Sequence, residues 1–235
     1  MRLLLVFALA ASGCSHPLLL KKYAATSPAR QVISGRTLHL AAFEDRREAD
    51  WDDQKSKALP EPKDFAVKPL SAEQLEAWEQ ERDALETSVP EMRWTKVGHK
   101  RNGFGMPIKD VRALNSPAEW LTEAARLELK AQGAALVERP DADLVVEAVL
   151  RYAFLDLYLA TWVHLVLDVT TTLRGQPPKT VRIHASEGMT AWTGGDTESF
   201  EIFTATEQRL SRYLVDHVAN QLANAGEAAP PPPPP

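Results

Sequence analysis

The stretch DADLVVEAVLRYAF at residues 141–154 decides the fold, because its apolar side chains recur at every second position. The same alternation returns in TWVHLVLDV at residues 161–169 and in VRIHASEGM at residues 181–189, and the turn residues GQPP at 175–178 separate these two segments. Successive side chains of a strand point to opposite faces, so this period predicts three strands of a sheet that is buried on one face. The side chains expected to face the core are Leu144, Val146, Ala148, Leu150, Tyr152, Phe154, Val163, Leu165, Leu167, Val169, Val181, Ile183, Ala185 and Met189.

Two helices are predicted on either side of these strands. In the sequence SPAE at residues 116–119, serine is the cap, proline the first helical residue and glutamate the capping-box partner, and Gly133 supplies the stop. After the strands, apolar residues at helical spacing predict a long helix over about 197–224, with Asp196 as its cap.

The chain before residue 116 has weaker patterns. Residues 36–43 alternate as a first strand would, and Asn102-Gly103 indicates a tight turn or hairpin rather than the alternative, an anion-binding loop. Residues 44–91 form a charged insertion, in which Ser71 and Gln74 compose a capping box. The helix that follows, over about 72–86, has a thin apolar stripe, so we expect it at the edge of the domain.

These elements predict an α+β fold, a two-layer sandwich. Its mixed or antiparallel sheet carries a C-terminal three-strand meander, packed against two main helices. Residues 31–224 form one domain with the insertion at about 44–91, and the proline-rich residues 225–235 form a disordered tail. The ordinary composition, with 44% hydrophobic and 25% charged residues, excludes collagen-like, fully disordered and multi-span membrane classes.

The N-terminus predicts a location for the protein. Arg2 precedes an apolar run at residues 3–11, which is typical of a secretory signal peptide and too short to span a bilayer. The run ends in ASGC at residues 11–14, which resembles a bacterial lipobox and predicts lipidation of Cys14 after removal of residues 1–13. The alternative is a plain signal peptide with a chance cysteine. Residues 14–30 are then a lipidated tether, and Ser15 favours the periplasm-facing inner leaflet of the outer membrane.

Charge and cysteine content exclude other classes of partner and of stabilisation. The chain has 27 basic and 32 acidic residues, a net charge of −5, which argues against nucleic acid as a partner. A single cysteine permits neither an intrachain disulfide nor a cysteine-based zinc cluster.

Several short motifs occur in a recognisable order. They are FEDR at 43–46, VG at 97–98, NGFG at 102–105, AEW at 118–120, LKAQG at 129–133 and ADLVVE at 142–147. This order resembles the YajG-type family of bacterial lipoproteins, over about residues 36–222 without the insertion. The resemblance implies an envelope lipoprotein with no assigned activity, and it transfers no catalytic residue.

The polar face of the predicted meander carries the candidate chemistry. Its members are Glu147, Arg151, Trp162, His164, Asp168, Arg182, His184, Ser186 and Trp192. A hydrolytic or metal-dependent enzyme could use Glu147, His164, Asp168 and His184, but no nucleophile, metal-ligand or phosphate-binding motif accompanies them. We therefore predict no catalytic, metal or cofactor residue. Aromatic and arginine side chains are common in interfaces, so Trp162, Trp192, Arg151 and Arg182 are the predicted partner surface.

The sequence thus favours a non-enzymatic, lipid-anchored envelope protein that binds a protein or another envelope component. An enzyme on the polar face and a carrier of an apolar ligand, which needs an apolar cavity, are the alternatives.

Overall fold

The architecture was obtained as a computed structural model, which describes residues 15–22, 24–26, 33, 35–47, 66–190 and 195–227. The predicted signal peptide and Cys14 lie outside these residues. Within them, none of the helices has the length and apolar character that a membrane crossing requires.

The predicted α+β class is confirmed: a mixed sheet of nine strands carries helices on its inner face. The three helices of the described residues are α1 (Ala72–Ser88), α2 (Pro117–Ala131) and α3 (Asp196–Glu227). The strands are β1 (His16–Leu18), β2 (Thr37–Leu40), β3 (Glu44–Asp45), β4 (Thr95–Arg101), β5 (Pro107–Ala113), β6 (Ala135–Leu136), β7 (Leu144–Leu157), β8 (Thr161–Leu173) and β9 (Lys179–Met189).

Strand β7 organises the sheet. Along one edge it pairs antiparallel with β8, which pairs in turn with β9. Along its other edge β2, β3 and β4 pair with it one after another, all parallel. Strand β5 extends the sheet beyond β4, and β1 lies outermost beside β5. The predicted C-terminal meander is therefore the largest part of the sheet, with β7 at the centre of the sheet and β9 at one edge.

Two of the three predicted helix starts and the hairpin form as the local sequence indicates, whereas Asp196 is the first residue of α3 and not its cap. Ser116 caps α2 by accepting from the Glu119 amide, and the Ser71–Gln74 capping box opens α1. Strands β4 and β5 form the predicted hairpin. Its loop is wider than a two-residue turn: the Asn102 carbonyl accepts from the Gly105 amide, and Gly105 has the positive φ of 81°. Asn102 therefore begins this turn, and the glycine at 105 completes it.

A β-bulge in β7 changes which residues face the core. The sequence predicts Leu150, Tyr152 and Phe154 on one buried face, but the pairing with β8 shifts register between Leu150 and Tyr152. Beyond this shift Ala153, Leu155 and Leu157 are buried instead. The prediction for Tyr152 and Phe154 was therefore wrong, because one extra residue in a strand moves all later side chains to the opposite face.

The segment that the sequence predicts as a tether is built into the domain. His16–Leu18 pairs parallel with β5, and Leu18, Leu19 and Leu20 are buried. Pro17 favours a linker in sequence terms, yet an edge strand tolerates proline because its outer N–H needs no partner. In the structure, the folded domain thus begins one residue after Cys14.

A buried ionic cluster holds the end of this segment in place. The Lys22 ammonium lies 2.9 Å from Glu128 of α2 and 3.0 Å from Glu207 of α3. Thr26 donates its amide and hydroxyl to Glu128, and Ser211 donates to Glu207. Burial opposes the charge of Lys22, but the two carboxylates outweigh it and raise the Lys22 pKa. We call these five residues the Lys22 cluster.

Helix α1 contributes more to the core than its thin apolar stripe predicts. Trp78 is fully buried and stacks on Phe200 of α3, with ring centroids 4.5 Å apart. Its indole N–H donates to the Leu19 carbonyl at 2.7 Å, and Arg82 lies over its ring. A single large ring thus joins the helix of the predicted insertion to α3 and to the chain just after β1.

Helix α3 extends three residues into the predicted tail, to Glu227. The remaining tail residues, 228–235, lie outside the described residues.

Candidate functional site

The outer face of the sheet, opposite the helices, carries a group of aromatic side chains. The strand register places them together: Phe154 of β7 is paired with His164 of β8, and Val166, two residues further along β8, is paired with His184 of β9. We call this group the aromatic band. Its six members are His99, Tyr152, Phe154, Trp162, His164 and His184.

The rings of the aromatic band form two groups of contacts, one on β4 and β7 and one on β8 and β9, and the pairing of Phe154 with His164 sets the two groups side by side. The His99 and Phe154 centroids are 5.0 Å apart and edge to face, and Tyr152 stacks on Phe154 at 5.6 Å. On β8 and β9, His164 stacks on His184 at 5.5 Å, with its Nδ1 3.2 Å from the Nε2 of that residue. Offset-stacked and edge-to-face pairs at these spacings are favourable, so the band is a preorganised surface.

Trp162 forms the exposed end of the aromatic band. Its ring stacks on His164 at 6.4 Å, and 48% of the residue is exposed. Gly188 lies opposite it on β9, where an added Cβ would meet the indole at 2.6 Å. The ring therefore lies over a glycine, which holds it flat on the sheet with one face open to solvent.

One side of the band is bordered by an ionic cluster on Asp168. This carboxylate accepts from Arg151 at 2.8 Å and from two nitrogens of Arg182 at 2.6 and 2.9 Å. The hydrogen bonds from Arg182, with those from Arg151, hold the Asp168 pKa below its usual value despite partial burial. Asp168 is consequently an ionised acceptor, unsuited to donate or take up a proton near neutral pH.

A second ionic cluster lies at His99. Asp156 lies 3.2 Å from the imidazole Nε2 and 2.8 Å from the Arg101 guanidinium, and Arg101 also donates to that nitrogen. Burial lowers the His99 pKa, and the nearby Arg101 charge lowers it further, which together outweigh the attraction of Asp156. The imidazole is therefore neutral at neutral pH and adds an aromatic surface rather than a charge.

The structure brings most of the predicted site residues together and separates one. Arg151, Asp168 and Arg182 converge, and so do His164 and His184. Glu147 instead pairs with Arg139 at 2.8 Å, and Trp192 lies outside the described residues. Tyr152 and Phe154 were not predicted on this outer face, because the bulge at Arg151 leaves no clear signal in the apolar pattern. His99 was missed because strand order, which places β4 beside β7, cannot be read from its own segment.

The arrangement is a flat aromatic surface bordered by two arginines. Within the described residues no set of three histidine, cysteine or acidic side chains is grouped to hold a metal ion. The aromatic band provides flat, preordered apolar area, and Arg151 and Arg182 border it. Aromatic and arginine side chains of this kind dominate the binding energy of protein interfaces.

The fold with this outer face is that of a two-layer α+β domain, and a solved structure shares it. Protein XCC0632 from Xanthomonas campestris, described as belonging to family DUF330, matches with a TM-score of 0.50 and 10% identity, over 90% of this chain and 97% of that one. This similarity bears on the fold alone. The chain therefore shares its architecture with an uncharacterised bacterial protein.

Two weaker structural similarities accompany it. An uncharacterized protein matches with a TM-score of 0.44 and 8% identity, over 87% of this chain and 99% of that one. The hypothetical protein CT253 from Chlamydia trachomatis matches with a TM-score of 0.34 and 14% identity, over 80% and 98%. Neither the family models nor the curated proteins that were searched give a match.

Proposed function

We propose that this protein is a lipid-anchored component of the bacterial cell envelope that binds a protein partner through the aromatic band. The lipobox-like sequence at residues 11–14 supports the anchor and the envelope location. The stacked, partly exposed rings on the outer face support the binding role. The YajG-type family remains our proposed assignment within the uncharacterised bacterial proteins.

The observation that carries the binding role is the exposure of Trp162. A large aromatic ring that is half-exposed on a sheet loses hydrophobic stabilisation unless a partner covers it. Its neighbours on the band are already packed against one another, so a partner would gain a rigid surface with little loss of side-chain entropy. The bordering arginines are held by Asp168 and are preoriented in the same way.

The two alternative functions fit the geometry less well. An enzyme would need a proton-transferring group, and Asp168 is already neutralised by two arginines, while Glu147 lies apart from the histidines and pairs with Arg139. A carrier would need an apolar cavity. One pocket of the described residues is lined by Ala24, Ala25, Pro69 and Leu70, but Lys21, Lys22, Lys68, Gln74 and Gln208 also border it, so polar and charged groups interrupt its apolar lining.

Replacing the predicted lipidation site tests the anchor. We expect Cys14→Ser to move the protein from the membrane fraction to the soluble fraction, because no acyl chain can then be attached. Fractionation of cells that express each form measures this, and Ser12→Ala is a matched control that keeps the cysteine. An unchanged membrane fraction for Cys14→Ser would contradict the lipid anchor.

Site-specific crosslinking in intact cells tests the binding role. A photo-crosslinking residue in place of Ser186, which lies opposite His164 on β9 and leaves Trp162 intact, should give a defined adduct with one protein, whereas the same residue at Lys130, on the exposed side of α2, should not. Adding His164→Ala should reduce the adduct about tenfold, since loss of an aromatic contact costs on the order of 1–2 kcal/mol of binding. Equal adducts from both positions, or no effect of His164→Ala in a folded protein, would exclude the aromatic band as the binding surface.

A further inference from the structure

A second exposed surface lies at one end of the sheet, where two loops meet. The β4–β5 loop presents Phe104, 89% exposed, and Met106, 57% exposed, and the β7–β8 turn presents Leu159, 61% exposed. The Tyr158 hydroxyl of that turn donates to the Gly103 carbonyl at 3.1 Å and joins the two loops. We call Phe104, Met106, Tyr158 and Leu159 the apolar end.

The N-terminal segment leaves the domain toward this same end. Strand β1 runs parallel to β5, with His16 paired to Val111, and β5 begins at Pro107 beside the loop. Moving back along the chain from His16 therefore leads toward the loop. Ser15 is the first described residue and lies one residue beyond His16 in this direction. Because consecutive Cα atoms are about 3.8 Å apart, Cys14 is joined to the domain close to this end of the sheet. The loop extends a few residues further in the same direction, at ~3.4 Å per residue.

The hairpin that carries the apolar end is basic in an acidic protein. Three basic side chains, Lys100, Arg101 and Lys109, lie in the half of the hairpin beside the loop, in a chain whose net charge is −5. Two acids near this end are already paired: Asp156 with Arg101 at 2.8 Å, and Asp196 with His16 at 2.8 Å. Positive charge around exposed apolar side chains is the combination that binds the interface of an anionic membrane.

We propose that the apolar end lies on the surface of the membrane that holds the lipid anchor, with Phe104, Met106 and Leu159 inserted among the headgroups. This rests on the proposed anchor, since a lipid on Cys14 brings this end of the domain, and no other, against the bilayer. Because β1 begins at His16, two residues after Cys14, the domain has no long tether on this side and its orientation on the membrane is restricted. The outward direction of the aromatic band then runs parallel to the membrane plane, so a second envelope protein beside this one can reach the band.

A reporter on the loop tests this orientation without depending on lipidation. For this test, residues 15–235 are produced with an N-terminal hexahistidine tag in place of the lipid. The tag binds the protein to nickel-chelating vesicles of phosphatidylethanolamine and phosphatidylglycerol. This form has no native cysteine, so Gly103→Cys, where a side chain meets nothing within 4 Å, takes a single environment-sensitive fluorophore. Asn220→Cys, an exposed position on the second half of α3, is the matched control.

We expect the fluorophore at position 103 to shift to the blue on vesicle binding and to be quenched by nitroxide lipids at least threefold more than the fluorophore at position 220. Replacing Phe104, Met106 and Leu159 together by serine should abolish the difference without changing the melting temperature, because all three are exposed. Equal responses at positions 103 and 220 in vesicle-bound protein would overturn the proposal. If Cys14→Ser instead stayed in the membrane fraction of cells, that result would contradict the lipid anchor. The vesicle experiment and the fractionation experiment are independent of each other.

Discussion

We expect Lys22→Met to lower the free energy of unfolding by about 3–5 kcal/mol, the cost of leaving buried charges without their partner. Lys22 is the cation between Glu128 and Glu207, and the side chains of all three are at most 2% exposed. For a domain of this size the loss corresponds to a fall in melting temperature of roughly 6–20 °C. Thermal and urea unfolding of the two forms measure it.

The pH dependence of this loss separates charge from packing. Between Lys22 and the Thr26 donors, the Glu128 pKa lies below its usual value although burial alone would raise it, so its ionised form stabilises the native state above the unfolded pKa. Burial already raises the Glu207 pKa beside Lys22. Without Lys22, burial raises the pKa of both carboxyls, and their ionisation then destabilises the native state as pH rises. The loss should therefore be smaller at pH 5 than at pH 7.5. Lys22→Met combined with Glu128→Gln and Glu207→Gln should recover most of it, and a pH-independent loss would indicate packing alone.

Trp78→Ala should cost about 3–5 kcal/mol, as large-to-small changes of buried aromatic residues do. The indole is fully buried, stacks on Phe200 and donates to the Leu19 carbonyl. Its loss therefore removes contacts of α1 with α3 and with the chain just after β1. Urea unfolding measures the energy, and hydrogen exchange should show faster opening of β1 and α1 than of β7 and β8.

A conservative variant divides this effect into two parts. Trp78→Phe keeps one aromatic ring on Phe200 and removes the N–H donor together with the second ring of the indole, so the unpaired Leu19 carbonyl alone should cost about 1–3 kcal/mol. A similar loss of unfolding free energy for Trp78→Phe and Trp78→Ala would mean that the hydrogen bond, and not the ring stacking, holds α1 in place. No loss for either variant would show that α1 does not pack as described.

Local patterns predicted the elements whose signals lie within one short stretch of sequence. Ser116 and Pro117 start α2 because the cap and the first turn need only neighbouring residues, and β8 follows from a regular period of two. Strand β1 could not be predicted, because three residues that include Pro17 carry no period. The partner that orders it, β5, lies about a hundred residues away in the chain, and pairing of this kind is decided by tertiary contacts.

The candidate site was likewise predictable only where the signal lies within one strand. Trp162, His164 and His184 were predicted on one face because β8 and β9 alternate regularly, and their register confirms the placement. Phe154 was assigned to the core, since a β-bulge inserts one residue without changing composition. The aromatic band was therefore half visible in the sequence, and its other half depends on a register shift that only the pairing with β8 reveals.

Helix α3 sets how far the domain extends from the apolar end. It begins at Asp196 beside His16, near the apolar end, and passes His217 beside Thr171 near the opposite end of β8. Its 32 residues span about 48 Å at 1.5 Å per residue. In the proposed orientation this helix acts as a spacer, which holds its C-terminal end on the side of the domain away from the bilayer.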